Sequence, residues 1–148
     1  MAAFAFMFFI AMPGPFFPAI NTELILLLQV LESGQDPALM VLAASGGHMT
    51  LYLLLHAMGE KTLTRWGPMA RRLAAMTTEK RERFRNGATA GLVVGSLLGV
   101  PPVVVLAPLS SSVGFPRWRL AVITLLGRIV RFGVLVSLGG EALRWLQS

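Results

Sequence analysis

Apolar positions along the chain form long uncharged runs, and prolines or polar turns interrupt several of them. The first run, 1–12, is followed by prolines and then by a second short run, 24–31. The interrupting residues are Pro13, Pro15 and Pro18. Proline fixes its own φ angle and disfavours helix in the residue before it. The pattern therefore predicts a hairpin of two short helical arms over 1–31, followed by a full membrane span over 38–58.

The second half repeats this order. An apolar segment over 87–113 is cut by Pro101 and Pro102, and an apolar run over 119–138 follows it. Paired interruptions of this kind are typical of transporter sites built from broken helices. We predict one all-α membrane domain over 1–148, an inverted repeat of re-entrant helical hairpins plus full transmembrane helices, with halves 1–58 and 87–138. The alternative is that the prolines merely kink ordinary spans.

The segment between the halves, 60–85, holds eight of the thirteen basic residues. Basic loops are retained on the cytoplasmic side, so we predict a cytoplasmic linker, part of which forms an amphipathic surface helix. If 87–113 is a hairpin that returns to the same side, Arg117 and Arg119 are cytoplasmic too. If it spans the membrane, they lie outside. The hairpin agrees better with the charge rule.

Composition supports lipid as the solvent. The chain is 55% hydrophobic and only 14% charged, whereas soluble domains have about 25% charged residues. The net charge of +6 is concentrated in the linker, which argues against a nucleic-acid partner. The absence of cysteine excludes disulfides and thiolate metal sites. The first twelve residues lack a charged leader and a cleavage site, so we expect a retained segment of a multi-pass inner (plasma) membrane protein.

Two arginines lie deep in the last predicted span. Arg128 and Arg131 are three apart and so share a helix face. Charges at such depth usually face the protein interior or a watery cavity. They are predicted either to bind an anionic headgroup or phosphate, or to form a structural pair satisfied by carbonyls or by snorkelling.

Glu23 follows the first proline break, next to Asn21 and Thr22, either of which suits a helix N-cap. It is interpreted as a proton carrier, as a counter-ion for one of the two arginines, or as an interfacial helix-start carboxylate. His48 is a candidate proton relay, while His56, eight residues on, is expected at the membrane interface. The spacing of the two histidines and the lack of nearby ligands argue against a metal site. Without a catalytic motif, we expect neither an enzyme nor a cofactor.

Three stretches resemble a known family. They are Asn21-Thr22-Glu23-Leu24, then Ala44-Ser45-Gly46-Gly47-His48 followed by Tyr52, and last Leu126-Gly127-Arg128-Ile129-Val130-Arg131-Phe132. In this order they resemble the DedA superfamily, also called VTT or SNARE-associated Golgi proteins, and within it the YqaA-like branch. The resemblance implies two facing re-entrant hairpins and a role in flipping or scrambling lipids, including undecaprenyl phosphate in bacteria, or in envelope and proton-motive-force homeostasis.

The chain departs from that family in the second hairpin. Better-studied members carry Arg-x-x-Pro-x-x-Arg there, but no arginine lies three residues before or after Pro101 or Pro102. The expected polar site is therefore Glu23, Arg128, Arg131 and His48. The sequence predicts a transporter, or a flippase- or scramblase-like protein, that acts on an anionic or lipid-linked substrate. Coupling of this movement to protons is part of the prediction. Membrane lipid is the expected partner, and the sequence is also compatible with a homo-oligomer. The alternative is a structural or assembly partner in a membrane complex, without transport.

Overall fold

The computed structural model describes residues 1–17, 21–65 and 75–147, and the regular elements in these ranges are all helical. One short 3-10 helix, Gly14–Phe16, lies between the first two α-helices. The α-helices are α1 (Ala2–Ala11), α2 (Thr22–Leu31), α3 (Pro37–Arg65), α4 (Thr78–Leu98), α5 (Val103–Ser112) and α6 (Arg117–Gln147). The all-α prediction is confirmed for this part of the chain.

The first proline-rich segment separates two helices of ten residues each. At 1.5 Å per residue each is about 15 Å long, well short of a hydrocarbon core of about 30 Å. Helix α1 ends before Pro13, and α2 begins after Asn21, whose side chain accepts hydrogen bonds from the backbone N–H groups of Glu23 and Leu24. The predicted break is confirmed, and of the two cap candidates, Asn21 and Thr22, the structure uses Asn21. Pro18 lies outside the described residues.

The second break is also where the prolines predicted it. Helix α4 ends at Leu98, and Gly99 has a φ of 86°, a left-handed conformation that favours glycine. Pro101 and Pro102 then separate α4 from α5. Helix α4 begins at the N-cap Thr77, so its first turns belong to the charged linker. Residues 66–74 of the linker, which the surface-helix prediction includes, lie outside the described residues.

Two helical segments are long and apolar enough to cross a membrane, Pro37–Gly59 and Arg117–Glu141. They agree with the predicted spans 38–58 and 119–138. An exposed apolar stripe follows α6 at every fourth position. Its members are Val122, Leu126, Val130, Val134 and Leu138. Such a stripe suits a hydrocarbon environment and would be costly in water.

The described chain divides into two compact units. The first contains residues 1–50 and 125–148, with Met7, Leu26 and Phe132 fully buried in its core. Close packing of α1 on α3 depends on Gly47, because a Cβ there would lie 2.3 Å from the carbonyl oxygen of Phe8. A small residue at this position therefore lets the two helices approach closely.

The second unit contains residues 51–124. Helices α4 and α5 pack tightly next to their connecting turn, where a Cβ on Gly95 would lie 2.4 Å from the carbonyl oxygen of Pro101. A ring nitrogen of His56 lies 3.0 Å from the carbonyl oxygen of Phe115. His56 is 3% exposed, so the side chain predicted at the membrane interface is buried within this unit.

Candidate functional site

A polar cluster in the first unit is formed by side chains of α2, α3 and α6. Helix α6 supplies Arg128, Arg131 and Phe132, which share a face because they are three and four residues apart. Helix α2 supplies Glu23 and Thr22 in its first turn, and α3 supplies His48. The four residues predicted to form the site thus belong to one compact unit.

The structure pairs Glu23 with Arg131. One carboxylate oxygen of Glu23 accepts a hydrogen bond from Arg131 Nε at 2.7 Å and a second from a terminal nitrogen of the same guanidinium. The side chains are 36% and 25% exposed, respectively. Of the counter-ion alternatives for Glu23, the ion pair with Arg131 is the one that the structure contains.

Arg128 has a different environment from Arg131, although both lie on the same helix face. It is only 7% exposed, and its guanidinium lies over the ring of Phe132, 5.9 Å from the ring centroid. Phe132 is fully buried. An arginine over an aromatic face gains from the ring quadrupole when water is excluded. Arg128 is the more buried of the two arginines.

His48 connects the third helix to this cluster. Its ring lies edge-on to Phe132, with centroids 5.4 Å apart, and its Nε2 is 3.4 Å from the hydroxyl oxygen of Thr22. The side chains of His48 and Thr22 are both buried. A neutral imidazole both donates and accepts hydrogen bonds, so this contact is compatible with either tautomer.

The cluster has an excess of positive charge. Among the described residues, the cluster holds two guanidinium groups and one carboxylate, and that carboxylate is bonded to Arg131. An arginine fork binds carboxylate or phosphate through parallel N–H donors. The guanidinium groups of Arg128 and Arg131 are therefore of the chemical type that binds an anion.

Three residues of this neighbourhood were not predicted as site residues. Thr22 was considered as a cap and turn residue, and Phe132 only as part of a motif. Ser45, which belongs to the second stretch of the family resemblance, is fully buried one helical turn before His48. Within the described chain its hydroxyl has no hydrogen-bond partner. The positions of Phe132 and Ser45, one turn from Arg128 and His48, were the available signal.

Three consecutive serines near the end of α5 form hydrogen bonds within their own helix. The hydroxyls of Ser110, Ser111 and Ser112 each donate to the carbonyl three residues earlier in α5, at 2.6–2.8 Å. Such bonds satisfy the hydroxyls within their own helix. Searches against protein-family models, curated proteins and solved structures gave no significant match to this chain.

Proposed function

We propose that this chain is a multi-pass membrane protein that moves an anionic, lipid-linked substrate across the bilayer. The observation that carries the proposal is the burial of Arg128 beside the Glu23–Arg131 pair, within a helix long and apolar enough to span. Charged side chains at membrane depth are costly, and they usually mark a substrate or ion pathway.

The short helices support a site at membrane depth. Helices α1, α2 and α5 have ten residues each, about half the length of a span. Each half of the chain has the same order of elements, a shorter helix, a proline break, a ten-residue helix and a long helix. We interpret the two sets as re-entrant hairpins of an inverted repeat, the arrangement that the DedA resemblance implies. Broken helices of this kind expose backbone only where it lines a cavity or is covered by protein.

In this mechanism Arg131 alternates between two anions. In the resting state it is bonded to Glu23. When Glu23 takes up a proton, its charge is lost and Arg131 turns to the substrate phosphate or carboxylate, which Arg128 also binds. Proton release from Glu23 then restores the ion pair and displaces the substrate. Proton movement across the membrane would in this way be coupled to substrate release.

The test is lipid movement in reconstituted vesicles. Purified protein is incorporated with a trace of phosphatidylglycerol that carries a fluorescent acyl chain, and a membrane-impermeant reductant destroys the fluorescence of the outer leaflet. Arg128→Gln is expected to slow transbilayer movement by roughly ten- to a hundredfold, the equivalent of losing a charged hydrogen bond of about 1.5–3 kcal/mol. Arg119→Gln is the matched control, since Arg119 is an exposed arginine on the same helix.

A charge exchange separates transport from the alternative of a purely structural protein. The double variant Glu23→Arg with Arg131→Glu keeps an opposite-charge pair between α2 and α6 but places a carboxylate where the substrate anion would bind. Transport requires Arg131, so the exchanged protein should fold and remain inactive. Unchanged lipid movement in Arg128→Gln, with helix content preserved by circular dichroism, would refute the transport proposal.

A further inference from the structure

A groove between α4 and α5 lies within the second unit and shares no lining residue with the polar cluster. Its volume is about 540 Å³, within the range of about 300–1,000 Å³ found for small-molecule sites. The lining side chains of α4 recur at helical spacing on one face, and those of α5 face them. The residues that matter here are Lys80, Arg83, Phe84, Gly87, Leu106 and Leu109.

The groove results from uneven packing of the two helices. Near their connecting turn, Gly95 brings α4 against the backbone of Pro101. Further from the turn, a Cβ placed on Gly87 would meet no atom within 4 Å. The helices are therefore in close contact at one end of the pair, and a space stays open at the other end.

The groove is divided into a basic part and an apolar part. Helix α4 carries its charged residues in the first turns, 79–85, and is uncharged from 87 to its end at Leu98. Lys80 and Arg83 lie on the charged stretch, while Gly87 and Leu106 lie where apolar residues predominate. A ligand that fills the groove must match a cationic end and an apolar remainder.

The charges favour an anion. Arg83 donates to Glu79 at 2.7 Å in an exposed pair, and such pairs contribute little because water competes for both groups. Within the described residues, Lys80 has no ion-pair partner. Both basic residues lie in the first two turns of α4, and the dipole at a helix N-terminus also favours an anion there.

We propose that this groove binds one anionic phospholipid of the surrounding membrane, with an acyl chain along Phe84, Gly87 and Leu106 and the phosphate at Lys80 and Arg83. Basic residues at the end of an apolar helix pair match the headgroup level of a bilayer, where each basic side chain near an anionic surface adds about 1 kcal/mol. The site is distinct from the transport site proposed above and does not depend on transport.

The test measures lipid binding by the 148-residue chain in neutral detergent micelles. Phosphatidylglycerol and phosphatidylcholine with identical acyl chains are titrated separately, and bound lipid is counted by native mass spectrometry. The wild-type protein should bind one phosphatidylglycerol at least about fivefold more tightly than phosphatidylcholine. Lys80→Ala should remove most of this preference, whereas Arg81→Ala, the same change in charge one position away and outside the lining, should keep it.

A second pair of variants tests the apolar part. Gly87→Leu places a bulky side chain at the groove from a position where a Cβ meets no atom within 4 Å, and leucine favours helix. The variant should therefore fold and lose binding of both lipids. Gly133→Leu is the control, because Gly133 also faces open space but lies on α6. Lipid binding should be unchanged in that variant.

Equal affinity for the two lipids would overturn the proposal. Equal effects of Lys80→Ala and Arg81→Ala would overturn it too, and so would normal binding by Gly87→Leu. Displacement of the lipid by millimolar inorganic phosphate would also contradict it, since that would show a simple phosphate site. If Gly87→Leu instead dissociated an oligomer, the groove would be an interface between copies. None of these outcomes bears on lipid movement by Arg128→Gln.

Discussion

At the scale of single residues, Arg128 and Arg131 have different partners although they share one helix face. Arg131 is bonded to Glu23, and Arg128 lies buried over Phe132. The sequence predicted that both arginines lie at depth and that a carboxylate could pair with either. The choice between them depended on where the first turn of α2 meets α6.

The Glu23–Arg131 pair should contribute to stability in a way that a double-mutant cycle detects. Glu23→Gln and Arg131→Gln each remove one partner and leave the other charge partly buried, so each should destabilise the protein by about 1–2 kcal/mol. The double variant should lose less than the sum of the two, because no uncompensated charge remains. Thermal unfolding in detergent, followed by circular dichroism, measures the three variants. Strictly additive effects would show that the pair contributes no coupling.

At the scale of elements, prolines decide where helices end, and small residues decide which helices pack closely. Helix α1 ends just before Pro13, and α5 begins just after Pro102, at the two predicted breaks. Proline interrupts a helix through its own ring and its missing N–H, so the effect is local and readable from sequence. Close helix contacts are different, because a glycine permits an approach without specifying the partner.

Two glycines on α4 provide a matched test of this point. Gly95→Ala places a Cβ 2.4 Å from the carbonyl oxygen of Pro101 and should force the α4–α5 pair apart, at a cost of about 1–3 kcal/mol. Gly87→Ala adds the same methyl group to the same helix where no atom lies within 4 Å. It should be neutral or stabilising by up to about 1 kcal/mol, because alanine favours helix. Comparison of the two unfolding temperatures checks the prediction, and equal values would contradict the close packing.

At the scale of the whole molecule, the proposed membrane topology depends on whether the short helices are re-entrant. Two helical segments are long and apolar enough to cross, and three short apolar helices are not. If the short helices are re-entrant, residues before α4 and after α5 lie on the same side of the membrane. If they form a kinked span, those residues lie on opposite sides.

The lack of native cysteine makes this question easy to test. Single cysteines are introduced at the exposed positions Ser33, Glu82 and Trp118 and labelled in intact cells with an impermeant thiol reagent. We expect Glu82→Cys and Trp118→Cys to be protected in cells and labelled after lysis, as cytoplasmic sites. Ser33→Cys, which precedes the first span and lies at its opposite end from the cytoplasmic linker, should be labelled from outside. Labelling of Trp118→Cys from outside, with Glu82→Cys protected, would replace the second hairpin with a membrane span.

The extent of successful prediction follows the range of the interactions involved. The all-α class, both long helices, both proline breaks and the Asn21 cap depend on residues a few positions apart, and all were predictable. The Glu23–Arg131 bond joins residues 108 positions apart, and the sequence left it as one of several alternatives. The burial of His56 against the Phe115 carbonyl, 59 residues away, was not predicted at all.

The sequence by itself determined the apolar helices, their interruptions and the few charges placed among them, because hydrophobic run length and proline geometry act locally. Only the tertiary structure decided which charges meet, since Glu23 comes to Arg131 and His48 to Thr22 through the packing of α2, α3 and α6. It also created the groove, because the Gly95 contact holds α4 and α5 together at one end while the space beside Gly87 remains open. Packing depends on side chains distant in sequence, and for that reason a pattern along the chain does not specify it.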